Sequence, residues 1–103
     1  MELKEIQKLV FDECNKNGYT KMWNDAGKIG DIAEMGLVTT EISEALEELR
    51  NKETNREHLA EECADIVIRV MNHMSRKGLD LETAITAKHQ KNLRRGHLHG
   101  RGV

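Results

Sequence analysis

At 103 residues the chain has room for one domain, here 1–103, and one core built from its twenty-three Leu, Ile, Val and Phe residues. Charged residues make up 33%, yet the net charge is −2 and the pI about 6.2. This excludes a polyelectrolyte of one sign and the basic field that wraps nucleic acid polymers. No apolar run nears the roughly 20 residues of a membrane span. The charged start MELKEIQK lacks the apolar stretch of a signal peptide, and two cysteines make no disulfide scaffold, so a soluble cytoplasmic protein is expected. Absent proline, a single Trp, Tyr and Phe, and abundant Leu, Glu, Lys, Ala, Met and Arg point to an all-α fold.

In chain order, Leu3, Ile6, Val10 and Cys14, with Phe11 beside them, predict a helix over 2–16. It ends in Asn15-Lys16-Asn17-Gly18, where Gly18 can adopt the left-handed conformation. Residues 19–29 carry turn formers without a clear period and read as a loop or short helical turn. A long second helix over 31–51 places Met35, Val38, Ile42, Ala45, Leu46 and Leu49 on one inner face. Thr54 and Glu57 form a capping box for a third helix over 55–76. Its inner stripe is Leu59, Cys63, Ile66, Val67, Val70 and Met74, which makes Cys14 and Cys63 packed thiols and leaves His73 at the edge of the core. Asp80 caps a fourth helix over 81–95, so a four-helix bundle is expected. On the third helix Ala64, Ile68 and Met71 carry the apolar surface far around the circumference. Such a helix needs partners on two sides, predicting a homodimer or homotetramer through the second and third helices.

The second helix also carries Glu34, Glu41, Glu44 and Glu48 within one narrow arc, with no Lys or Arg among them. Like charges at helical neighbour positions cost roughly 0.2–0.5 kcal/mol per pair. The third helix supplies Glu62 and Asp65, and the turn between the helices is centred near Glu53. In an antiparallel hairpin, Glu44 is then level with Glu62, and Glu41 with Asp65. Four facing carboxylates form an oxygen-only donor set suited to Mg²⁺ or Mn²⁺; a pair of solvated polar faces is the alternative that spacing leaves open. His58 and Glu62, four residues apart, are a weak zinc signal, and no His-Glu-x-x-His or Walker-type phosphate loop is present. On the fourth helix Lys88, Asn92 and Arg95 share a face with Lys91 adjacent, followed by His97 and His99. They either complement the helix dipole or clamp phosphate oxygens that a metal leaves free.

Glu41-Ile-Ser-Glu44-Ala, Glu61-Glu62-Cys-Ala-Asp65-Ile and the closing KHQKNLRRGHLHG together resemble the MazG-like nucleoside triphosphate pyrophosphohydrolases. The resemblance runs from the first helix to Gly100 and implies an all-α, oligomeric, Mg²⁺-dependent enzyme that cleaves nucleoside triphosphates to a monophosphate and pyrophosphate. It implies that Glu41, Glu44, Glu62 and Asp65 ligate the metal. Glu44 would orient or deprotonate the attacking water, with Glu41 beside it and Glu48 in reserve. Lys88, Lys91, Asn92, Arg95 and His99 match positions that contact substrate, and the basic tail could reach the acidic site of a neighbouring subunit. Trp23 is a candidate for stacking on the base. Gly96 departs from the family pattern, which often has Pro there. Competing readings are a phosphoribosyl-ATP pyrophosphohydrolase or a dUTPase-like enzyme of the same fold, and a non-catalytic helical oligomerisation module.

Overall fold

The computed structural model describes residues 1–96. Among these there are five helices and no strand: α1 (Leu3–Lys16), α2 (Tyr19–Asp25), α3 (Gly27–Arg50), α4 (Arg56–Arg76) and α5 (Leu81–Arg95). The all-α expectation holds, but the count of four helices does not. Gly18, at φ 85°, ends α1 and at once starts α2, which occupies much of the stretch read as a loop. The pair of Lys21 and Asp25, four residues apart at 2.5 Å, joins the ends of this short helix. Helix α3 begins at Gly27, four residues ahead of the expected start at Asp31. The corner between α2 and α3 is tight enough that a Cβ on Gly30 would lie 2.2 Å from the Trp23 carbonyl oxygen.

Helices α3 and α4 form the antiparallel hairpin, with α1 against α4 and α2, α2 against α3, and α5 against α1. The cap of α4 falls one residue later than expected. Asn55, not Thr54, accepts the His58 amide N–H through its side chain at 3.0 Å. Asp80 caps α5 as expected, accepting from the Thr83 amide. The buried Gln7 of α1 fixes the α4–α5 connection: its Nε2 donates to Ser75 Oγ and the Leu79 carbonyl at 2.9 Å, and its Oε1 accepts from the Leu81 amide.

The largest departure concerns which face of α3 points inward. Its buried residues are Gly30, Glu34, Val38, Glu41, Ala45 and Glu48. Met35, Ile42, Leu46 and Leu49, expected in the core, are exposed. Glu34, Glu41 and Glu48 of the acidic arc are buried instead because α4 presents donors to them: His58, Arg69, Asn72, His73 and Arg76. Cys63 is likewise exposed rather than packed, while Cys14 is half-buried. Among the described residues only Val38, Ala45 and Met71 are buried apolar side chains. The radius of gyration is 15.9 Å, against about 13 Å for a compact chain of roughly 100 residues.

Candidate functional site

Residues 34, 41 and 48 recur every seven positions on α3, two helical turns apart, so their carboxylates stack in three layers along the hairpin. In the first layer Glu34 Oε2 accepts from Asn72 Nδ2 at 2.7 Å. Its Oε1 takes His73 Nδ1 at 2.9 Å and Arg76 Nε and Nη2 at 3.0 and 2.8 Å. Arg76 also reaches Asp31, which Lys77 shares, and Asn24 of α2. The Lys77 and Arg76 hydrogen bonds hold the Asp31 carboxyl at about 2. In the third layer Glu48 accepts from the Asn55 amide (3.0 Å), Asn51 Nδ2 (3.1 Å) and His58 Nδ1 (2.6 Å). The Asn55 amide, then His58 and Asn51, keep the Glu48 carboxyl below its ordinary range. Glu48 in turn raises the His58 imidazole above its ordinary value. Glu48 therefore clasps the α3–α4 loop, with both of its oxygens engaged by these donors.

The middle layer differs. Glu41, Glu62 and Asp65 bring one carboxylate oxygen each within 4.8 Å of one another. Arg69 Nε donates to Glu41 at 2.9 Å, and His58 Nε2 lies 3.4 Å from Glu62. The expected absence of cations beside the acidic arc is thus corrected: α3 has none there, but α4 provides Arg69 and Arg76. Glu62 Oε2 is buried and has no hydrogen-bond partner among the described residues. Burial, and then the neighbouring Glu44, push the Glu62 carboxyl above the usual carboxylate range. Glu44 sits beside Glu62 but outside the three-oxygen cluster, on the exposed surface, so the expected square of four carboxylates is a triad with a neighbour. An oxygen-only donor set with an unsatisfied buried oxygen and more anionic than cationic groups fits a hard divalent cation.

A cavity of about 400 Å³ opens beside this layer between α1, α2, α3 and α4. Glu41 and Asp65 line it as well as belonging to the cluster, and Tyr19, Trp23, Leu37 and Ile68 supply aromatic and aliphatic walls. Its volume and mixed lining suit a small organic ligand with a charged end. Burial, then the Glu34 charge, raise the Cys14 thiol at the same cavity, which keeps it neutral. Trp23, singled out from sequence, does face this space, whereas Tyr19, Arg69, Asn72 and Arg76 were missed. A signal for three of them exists: Glu62, Asp65, Arg69, Asn72 and Arg76 recur at alternating intervals of three and four residues. That is a polar stripe at helical period, complementary to the acidic stripe of α3.

Lys88, Lys91, Asn92 and Arg95 are exposed on α5, which packs on α1. None of them is among the residues that line the cavity or bond to the carboxylate layers. His97 and His99 lie outside the described residues. Gly96 has φ 75°, closed to proline, so the chain leaves α5 along a path that a Pro at this position could not take.

Among the described residues no helix is long and apolar enough to cross a membrane. The sequence profile of the MazG nucleotide pyrophosphohydrolase domain matches residues 33–99, which take in most of α3 and all of α4 and α5. No curated protein and no solved structure matches the chain. With well over half of the chain matched and the paired acidic motifs meeting at one place on the α3–α4 hairpin, the protein belongs to the MazG nucleotide pyrophosphohydrolase family.

Proposed function

We propose that the chain is a single-domain, cytoplasmic, Mg²⁺-dependent hydrolase that converts nucleoside or deoxynucleoside triphosphates to the monophosphate and pyrophosphate, a nucleotide-pool house-cleaning activity. The observation that carries this is the contrast between layers: donors surround Glu34 and Glu48, while Glu41, Glu62 and Asp65 crowd together around an unpartnered buried oxygen. Glu41, Glu62 and Asp65 would hold the ion, Mg²⁺ or Mn²⁺, with Glu44 completing the set. A cation there supplies Lewis acidity and neutralises charge on the triphosphate. Glu44, exposed beside Glu62, would orient water and take its proton as the water oxygen bonds to the α-phosphorus and the bond from that phosphorus to the α–β bridging oxygen breaks, with Glu41 assisting. Trp23 and Tyr19 would stack on the base in the adjoining cavity.

The active form is a homodimer or homotetramer. Among the described residues only three apolar side chains are buried, and Ile32, Met35, Ile42, Leu46 and Leu49 form an exposed apolar row on α3 that a second copy would cover. Because α5 lies on α1, Lys88, Lys91, Asn92, Arg95 and His99 would serve the acidic site of a neighbouring subunit, clamping the β- and γ-phosphates. The test is product analysis over a nucleotide panel with Mg²⁺. The parent protein should release monophosphate and pyrophosphate, and Glu62→Gln and Asp65→Asn should be inactive while retaining helical circular dichroism. Release of orthophosphate and a diphosphate would overturn the proposal.

A further inference from the structure

Asn72 is the polar residue of the cavity whose bonding is half complete. It is 4% exposed and lines the cavity. Its Nδ2 donates to Glu34 at 2.7 Å, while its Oδ1 is buried without a hydrogen-bond partner among the described residues. The amide's orientation follows from the layer behind it. The Arg76 guanidinium, which can only donate, occupies Glu34 Oε1 through Nε and Nη2. That leaves Oε2, an acceptor, to face Asn72. An amide beside an acceptor turns its N–H₂ toward it, so Oδ1 becomes the side of Asn72 that Glu34 does not engage.

We propose that Asn72 selects the base of the nucleotide and that Glu34, acting through it, is the positioning residue. Oδ1 accepts from an exocyclic amino group, so the cavity takes cytosine- or adenine-type bases over uracil, thymine and hypoxanthine. The inference rests on the reading of this cavity as the base pocket. An amino group projects from the ring edge and offers a proton to Oδ1. An oxo base instead presents a ring N–H recessed beside carbonyls that themselves need donors. Two donors of the lining are already engaged, Asn72 Nδ2 by Glu34 and Arg69 Nε by Glu41. A carbonyl oxygen set against Asn72 Oδ1 would meet a second acceptor there and be left unpaired, since Asn72 Nδ2 is held by Glu34.

The test compares base pairs of equal shape: kcat/KM for dCTP against dUTP, and for dATP against dITP, in the parent protein with Mg²⁺. The amino-bearing member should be favoured at least about tenfold in the better-accepted pair, the discrimination of one unmet hydrogen bond. Equal turnover or an oxo preference in both pairs overturns the proposal and would point to the Arg69 guanidinium as the reader. In Glu34→Gln the new amide can donate to Asn72 Oδ1, letting Asn72 turn its N–H₂ toward the base. The amino preference should then fall at least about threefold or reverse. Asn72→Leu should bring the ratio near unity. Each ratio is taken within one protein sample, so partial unfolding lowers both rates and leaves the ratio intact. An unchanged ratio in both variants also overturns the proposal. If no nucleotide is turned over, the pyrophosphohydrolase reading fails by itself. Selection by Asn72 is then decided by binding of dCMP against dUMP, read from the fluorescence of Trp23, the only tryptophan in the chain; tighter dCMP binding upholds it and equal binding ends it.

Discussion

Replacing Arg76 with Met should be among the most damaging single changes outside the acidic cluster. The Arg76 and Glu34 side chains are 1% and 3% exposed, and the guanidinium makes two of the four hydrogen bonds that Glu34 accepts. Stranding one member of a buried ion pair costs about 3–5 kcal/mol. Asn72 and His73 still serve Glu34 after the change, which places the loss near the lower end of that range. The Asp31 side is nearly free of cost, because Asp31 is a quarter exposed and keeps Lys77 at 2.8 Å. For a chain of this size, about 3 kcal/mol corresponds to a fall in Tm of roughly 12–24 °C. The assay is urea and thermal unfolding of parent and variant at one fixed protein concentration, since the proposed assembly would make Tm concentration-dependent. Glu34→Gln combined with Arg76→Met should be less destabilised than the sum of the single changes by about 1 kcal/mol or more, because no charge is left stranded. A loss under about 0.5 kcal/mol for Arg76→Met, the size of an ordinary surface substitution, would show that Glu34 is solvated and refute the layered arrangement.

Three further outcomes are expected. Saturating Mg²⁺ should raise Tm relative to EDTA, since binding the native state alone contributes about 2.7 kcal/mol at 100 Kd; Asp65→Asn should abolish the shift, measured by scanning calorimetry. The His58–Glu48 clasp raises the His58 pKa, so its contribution to stability is fully present below pH 6.5 and is lost as pH rises through the raised folded value. Unfolding curves of the parent should therefore weaken across that window relative to His58→Ala. Co-refolding inactive Glu62→Gln with inactive Arg95→Ala should restore part of the activity if sites are shared between subunits, and restore none if each site lies within one chain.

The sequence made the chemistry more legible than the packing. Glu41, Glu62 and Asp65 could be brought together from spacing alone, because residues equidistant from a short turn lie level in an antiparallel hairpin. The inner face of α3 could not be assigned by the same logic. Hydrophobic periodicity identifies an apolar side but not what covers it, and in this chain the side carrying Ile42, Leu46 and Leu49 faces away from α4. Glu34 and Glu48 read as members of one acidic arc with Glu41 and Glu44 because each was seen only on its own helix. Their donors lie 38 to 42 residues away for Glu34, and 7 and 10 away for Asn55 and His58. Helix α2 escaped the periodicity argument because seven residues are too few to show a period, and packing on α3 rather than propensity sustains it.

The most direct test of the account follows the oxygen atom. Hydrolysis of dCTP in ¹⁸O-water with Mg²⁺, read by ³¹P NMR, reports which phosphorus the water attacks. Attack at the α-phosphorus under the control of the Glu41, Glu62 and Asp65 cluster predicts label in the monophosphate alone and unlabelled pyrophosphate, with neither product formed by Glu62→Gln. Label in pyrophosphate, or labelled orthophosphate released with a diphosphate, would contradict it.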